Sequence, residues 1–326
     1  MRMTIWTSPQ FFLLLLDRAS FSMDKITTVK RKGGSMQIWP DCIPCILKMS
    51  LGVARVAMKD EDQARRLMEE ILRLKYFNGE NWRVTSTEVI RDIWRKVMEI
   101  SGEIDLLKEI KNEQNSRALA IYPVAKELVL RSKDPFLGAI KLAIAGNSID
   151  AMTDVKGEAP EEIIEKWYKL EIQSENLNGL KERLKKTRRL VYLGDNCGEI
   201  VFDRLLIEVL LDMYKLEIIF ISRTLPILND ATLQDALSTG IAKVVQVMEN
   251  GLPEPIPGTF LKRINPELKT LIERSDLVIS KGGGNHDSLT EEESLKGKVT
   301  FLFLAKCHPY CSIHHVSLGA PVIYNF

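Results

Sequence analysis

The chain has 326 residues, 45% of them hydrophobic and 27% charged, and carries a net charge of +1. Such values describe a globular protein of one large or two ordinary domains. The near balance of charge gives no electrostatic reason to bind nucleic acid or an anionic membrane, and no apolar run is long enough to span a bilayer.

Residues 1–35 read unlike the rest. Phe11 to Leu16 is a short apolar block closed by Asp17 and Arg18, without the flanks of a signal peptide. Arg31-Lys32-Gly33-Gly34 has the form of a translated purine-rich ribosome-binding sequence, so the expected start is Met36 and 1–35 is a non-native or disordered extension. Five cysteines suit a reducing cytoplasm better than a secreted disulfide framework. Cys42 and Cys45 form a CxxC, readable as a redox pair or half of a metal site, but no second CxxC completes a structural zinc set. Cys197, Cys307 and Cys311 are the others.

From Pro44 to about Leu180 the apolar residues recur at helical spacing, over Ile46 to Met58, Glu61 to Leu74, Thr85 to Met98, Tyr122 to Arg131 and Phe136 to Ala145. Asp60, Thr85 and Asp134 stand where helix N-caps belong. This predicts an α-helical domain over 36–185. Within it, Lys108 to Asn115 reads as a solvated helix face. Gly146-Asn147 reads as a C-cap, with Asp150 a turn carboxylate unless the fold aims it at chemistry elsewhere.

Over 186–326 strand and helix patterns alternate. Leu190 to Leu193, Glu217 to Ile221, Ala242 to Val247, Leu277 to Ile279, Thr300 to Leu304 and Pro321 to Tyr324 are apolar without polar alternation, as in a parallel sheet covered on both faces. Helical stretches lie between them at Ile200 to Tyr214, Leu233 to Ser238, Pro266 to Arg274 and Leu289 to Leu295. A doubly wound sheet follows, and its ligands belong past the carboxyl ends of the strands.

Those ends carry the chemistry. The first strand stops on Asp195-Asn196, where Asn196 and Glu199 also fit a helix capping box. The second runs into Arg223 and on to Asp230, the fourth into Lys281-Gly282-Gly283-Gly284-Asn285, and the fifth into Lys306-Cys307. Asp195, Asn196 and Asp230 offer hard oxygen ligands suited to Mg²⁺ or Mn²⁺. Lys281 and the three glycines offer a fixed charge and an approachable backbone, with a helix starting near Ser288 and Glu291 behind them. A divalent metal beside such an anion nest is a phosphate site. The GxxxxGK[ST] order and a GxGxxG after the first strand are both absent.

Gly146-Asn147-x-x-Asp150, Gly194-Asp195-Asn196-x-Gly198-Glu199, Leu228-Asn229-Asp230-x-Thr232 and Ser280-Lys281-Gly282-x-Gly284-Asn285 together resemble the DUF89 family, the ARMT1-like damage-control phosphatases. The CxxC resembles its prokaryotic branch, and the match runs in order from Met36 to Phe326. The resemblance implies an α-helical N-terminal domain joined to a three-layer α/β/α domain. It implies hydrolysis of phosphate monoesters of small, often damaged metabolites such as sugar phosphates or nucleotides. The implied metal, Mn²⁺ or Ni²⁺ first and Mg²⁺ or Co²⁺ next, is held by Asp195, Asn196 and Asp230. Asp195, Asp230, Lys281 and Asp150 are then the expected catalytic residues. Asn147, Glu199, Gly282, Gly283, Gly284, Asn285 and Lys306 are the expected substrate contacts. Water could be activated by a carboxylate or displaced by its direct attack; the residues alone leave both open. In the eukaryotic branch the C-terminal lysine lies in Arg-Thr-x-Lys; here Lys306 follows Leu304-Ala305, so substrate preference does not transfer. The alternatives are an S-adenosylmethionine-dependent carboxyl methyltransferase, whose glycine-rich first turn is missing, and a non-enzymatic phosphometabolite-binding protein.

Overall fold

A computed structural model describes residues 36–152 and 158–326; the expectations for 1–35 lie outside them. Six strands form one sheet: β1 (Arg189–Leu193), β2 (Glu217–Ser222), β3 (Gln246–Glu249), β4 (Leu277–Lys281), β5 (Val299–Leu304) and β6 (Pro321–Asn325). The order is β3-β2-β1-β4-β5-β6, all parallel except β6, which runs antiparallel to β5. The chain leaves β1 toward one edge and returns to lay β4 against its other side. The crevice at that reversal opens past Leu193 and Lys281, where open α/β sheets bind ligands.

Helices cover both faces. On one, α4 (Lys108–Leu130), α5 (Pro135–Gly146), α6 (Glu162–Lys169), α7 (Ser174–Lys186) and α8 (Glu199–Met213) share a core with Leu190, Tyr192, Leu277 and Ile279. On the other, α10 (Pro266–Arg274) and α11 (Gly282–Leu289) pack with Val191, Leu193, Val278, Phe301 and Phe303. The period-2 alternation of β1 and β4 thus feeds two cores, which is why Leu190 to Leu193 and Leu277 to Ile279 are apolar without a break. This is the expected three-layer α/β/α arrangement.

The first three helices, α1 (Cys42–Ala57), α2 (Glu61–Leu72) and α3 (Ser86–Ser101), build a third core around Trp94, Ile71 and Val53. Leu107, Ile227 and Leu228 close it, so the loop after β2 is packed from the helical side. The expected caps hold: Asp60 accepts from Gln63 N–H, Asp134 from Leu137 N–H, and Thr85 forms a full capping box with Glu88. Among the described residues no helix is long and apolar enough to cross a membrane.

Three local expectations change. The strand expected over Ala242 to Val247 begins only at Gln246, because Ile241–Lys243 is wound into a 3₁₀ turn that buries Ile241. No helix spans Leu289 to Leu295; a 3₁₀ turn at Glu293–Leu295 stands there. The helix expected to start near Ser288 starts at Gly282 instead, and Ser288 lies in its last turn, its hydroxyl donating to Gly284 O. Strand β4 passes straight into α11, so the three glycines are its first turn rather than a loop before it.

Candidate active site

Backbone bonds stitch the β1 and β2 loops together at the crevice. Ala231 N–H donates to Asp195 O at 2.7 Å, Cys197 N–H to Asn229 O at 2.8 Å, and Asn196 and Asp230 form an isolated bridge. Leu228 takes a left-handed conformation, φ 46°, that a bulky residue rarely adopts and that costs about 1–3 kcal/mol, at the turn that carries the buried Asn229 and Asp230. Gly282, at φ 76°, lies so close that an added Cβ would stand 1.7 Å from Asp195 Oδ2. Only glycine there lets the Asp195 carboxylate occupy the switch point.

Asp195 and Asp230 are both buried. Asp195 Oδ2 accepts from Asn196 Nδ2 at 2.9 Å and Asn147 Nδ2 at 3.3 Å. Arg223 lies behind the pair, its Nε 2.6 Å from Asp230 Oδ2 and its Nη2 3.5 Å from Asp195 Oδ1. Burial, then the nearby Asp230 and Glu199 charges, push the Asp195 carboxyl well above the usual carboxylate range. Burial raises Asp230 as well, against the pull of Arg223. Asn196 spends its Nδ2 on Asp195 and on Glu199 at 2.8 Å, which turns its amide oxygen away from them. Two buried carboxylates with one nearby guanidinium, beside an amide oxygen, form a hard donor set short of positive charge. That chemistry fits a divalent cation.

A cavity opens above this floor. Asn147, Asp150, Asp195, Asn196, Asp230, Gly283, Gly284 and Lys306 all line it. Asp150 pairs with Lys306 across it, Oδ2 to Nζ 2.5 Å, so the turn carboxylate is indeed aimed at the site. Asn147 reaches from the end of α5 to Asp195 and Glu199 while accepting from Leu304 N–H at 3.1 Å.

Four expected contacts lie elsewhere. The Lys281 ammonium is fully buried and bonded to Glu199 Oε1 at 2.5 Å, Asp203 Oδ1 at 2.7 Å and Ala143 O at 2.8 Å. Strand alternation explains it: Leu277 and Ile279 face α5 and α8, so Lys281 does too. Burial alone would lower its ammonium, but Asp203 and Glu199 hold it above the ordinary lysine value. Burial pushes Asp203 up to about 7 against the pull of Lys281. Glu199 is consumed by Lys281, Asn147 and Asn196. It opens α8, whose N-cap is Gly198 rather than Asn196. Asn285 is buried, donating to Gly194 O and Lys281 O and accepting from Thr259 and Arg223. Gly282 packs against Asp195 beneath the cavity surface.

The stretch expected as a solvated helix face is a scaffold. Lys111, Gln114 and Asn115 are buried. Asn115 Oδ1 accepts from Gly198 N–H at 2.7 Å and its Nδ2 donates to Asp235 at 3.0 Å. Asn229 donates to Gln114 and Ile149 O and accepts from Ala151 N–H, tying the Asp150 turn to the Asp230 loop. Amides at helical spacing look alike in a sequence whether they meet water or buried backbone.

Asp287 is a cavity residue that the motifs did not single out. It accepts from Ser86 at 2.7 Å and Tyr310 at 2.9 Å. Its neighbour His286 meets His314, Nε2 to Nε2 3.0 Å. Cys42, Cys45 and Cys307 also line the cavity, and burial pushes the Cys42 thiol up to about 11 and Cys307 to about 12, so both are neutral thiols. Burial, then His286 and His315, lower His314 to about 3. A base depressed in the folded state stabilises above its unfolded value of about 6.5 and loses that contribution as pH falls toward 3. The Tm of His314→Gln should therefore fall less steeply than wild type between pH 6.5 and 3. Parallel melting curves would remove this account.

A family model for the damage-control phosphatase ARMT1-like domain matches residues 38–322. The chain belongs to this family. A damage-control phosphatase of Archaeoglobus fulgidus is 32% identical over 292 residues, 87% of this chain and 97% of that protein. An uncharacterised protein of Methanocaldococcus jannaschii is 31% identical over 309 residues, 90% and 97% of the two chains. The crystal structure of a DUF89 family protein from Pyrococcus horikoshii superposes with a TM-score of 0.76 at 28% identity, covering 89% of this chain and all of that one. Membership in the damage-control family agrees with the α/β/α architecture.

Proposed function

We propose that this protein is a divalent-metal-dependent phosphoric monoester hydrolase acting on small, damaged or surplus phosphorylated metabolites in the cytoplasm. In this reading α1 and α3 of the helical part, 36–185, wall the cavity, while α4 to α7 of the same part form one layer over the sheet of 186–326. The observation that carries it is the floor of the cavity: Asp195, Asn196 and Asp230 sewn side by side, with Lys306 and the first turn of α11 above them. Two curated relatives named damage-control phosphatases support the hydrolase over the methyltransferase and non-enzymatic readings.

Asp195, Asn196 and Asp230 would hold the ion, for which Mn²⁺ or Ni²⁺ is proposed ahead of Mg²⁺ or Co²⁺. When bound it supplies Lewis-acid polarisation of the phosphoryl oxygens. Lys306 contacts a second phosphoryl oxygen, and the Gly283 and Gly284 N–H groups, at a helix N-terminus, receive another. Asp150, held 2.5 Å from Lys306, takes the proton of the attacking water. Lys281 acts from behind, by fixing Glu199 and through it the Asn196 amide.

Phosphate release from an aryl phosphate tests this. Protein stripped with a chelator should release none, and Mn²⁺ or Ni²⁺ should restore it. Full turnover by metal-free protein would remove the metal reading.

A further inference from the structure

Arg223 is not needed to form the cavity surface, yet it is where three strand-end segments converge. Its side chain is 3% exposed. Nε donates to Asp230 Oδ2 at 2.6 Å and Nη2 to Asp195 Oδ1 at 3.5 Å. Nη1 is anchored from the opposite side by Gly258 O at 2.9 Å and Asn285 Oδ1 at 3.3 Å. Asn285 is itself locked by Thr259, Gly194 O and Lys281 O. The guanidinium therefore cannot swing away without breaking a buried set of bonds.

The fork also divides the carboxylate oxygens. Asp230 Oδ2 belongs to Arg223, and among the described residues Asp230 Oδ1 makes no hydrogen bond. Asp195 Oδ2 receives two amide donors, Asn196 and Asn147, which leaves Oδ1 the less occupied atom. Each carboxylate thus has one oxygen committed at short range, Asp230 Oδ2 to Arg223 and Asp195 Oδ2 to the two amides, while Asp195 Oδ1 meets Arg223 only at 3.5 Å. A cation that took both oxygens of Asp230 would have to share Oδ2 with a guanidinium, charge against charge in a buried site.

We propose that Arg223 is a positioning residue that restricts Asp230 to one ligand oxygen, as the Asn196 and Asn147 amides restrict Asp195, and so selects small six-coordinate divalent ions against Ca²⁺. Calcium takes six to eight oxygens and uses bidentate carboxylates to reach that number; Mg²⁺-sized ions use single oxygens in a tighter shell. The sequence places hard oxygen donors here but says nothing of this choice, because both ions accept Asp and Asn. The inference rests on the metal reading above and deepens it.

The test is calorimetric binding of Mn²⁺ and of Ca²⁺ to full-length wild type, Arg223→Lys and Arg223→Gln, with melting curves to establish folding. Wild type should bind Mn²⁺ at least a hundredfold more tightly than Ca²⁺. In each variant that ratio should fall at least tenfold, whatever happens to the affinities themselves; Arg223→Lys keeps the charge but loses the fork. A role confined to holding the loops in place would weaken both ions alike and leave the ratio unchanged, which would overturn the proposal. Should neither variant fold, X-ray absorption or a crystal structure of the Mn²⁺-loaded wild type decides. One oxygen from each carboxylate is expected on the ion, and a bidentate Asp230 would overturn the assignment. Failure of wild type to bind Mn²⁺ at all would instead sink the metal reading itself.

Discussion

Asp195→Asn is expected to lower kcat/KM at least about a thousandfold while leaving the fold as stable as wild type or more so. The carboxylate is central to the donor set, and a neutral amide cannot replace its charge. Loss of about 4 kcal/mol of metal-derived transition-state stabilisation corresponds to about three decades in rate. The stability side runs the other way. Burial, Asp230 and Glu199 raise the Asp195 carboxyl far above its unfolded value. Such an acid stabilises the fold only while protonated, so that contribution is present at low pH and is lost as pH rises through its folded-state value. An isosteric amide removes the buried charge and keeps an oxygen for Asn196 and Asn147. Steady-state kinetics, Mn²⁺ calorimetry and a Tm at pH 7 check both halves. Near wild-type turnover would take Asp195 out of the site; a large drop in Tm would show that its charge is structurally needed.

Lys281→Met should act on stability first. Among the described residues its ammonium is the sole cation bonded to two fully buried carboxyls, Glu199 and Asp203. Removing one partner of a buried ion cluster leaves the other charge uncompensated and costs about 3–5 kcal/mol. Glu199 also orients Asn196 and Asn147, so turnover should fall as well. Adding Asp203→Asn should recover part of the stability, because the second change removes the stranded carboxyl. The sequence-based expectation is different: a lysine on substrate phosphate would lose about a hundredfold in rate with the fold unharmed. Urea unfolding of the single and double variants separates the two. A Lys281→Met protein as stable as wild type would return the lysine to the substrate.

Much of the architecture was legible because apolar period and strand length are local properties. The six strands, the helix caps at Asp60, Thr85 and Asp134, and the convergence of Asp195, Asn196, Asp230 and Lys306 on one side of the sheet all follow from that. Parallel strands put their carboxyl ends together whatever the loops do. Alternation also puts Lys281 on the side of Leu277 and Ile279, but that α5 and α8 cover that side came only from the structure.

Other features depended on groups far apart in the chain. Gln114 and Asn115 are scaffold rather than solvated face because Asn229, 115 positions beyond Gln114, and Gly198 and Asp235 come to meet them. Asp287 enters the cavity because Ser86, 201 positions away, and Tyr310 converge on it. By itself the sequence determined the sheet, its covered faces, and which hard oxygen donors would stand at the switch point. Tertiary structure alone decided which charges face the cavity and which are neutralised behind it. A side chain's type sets what it can bond, but burial and the partners brought by distant segments set what it does bond.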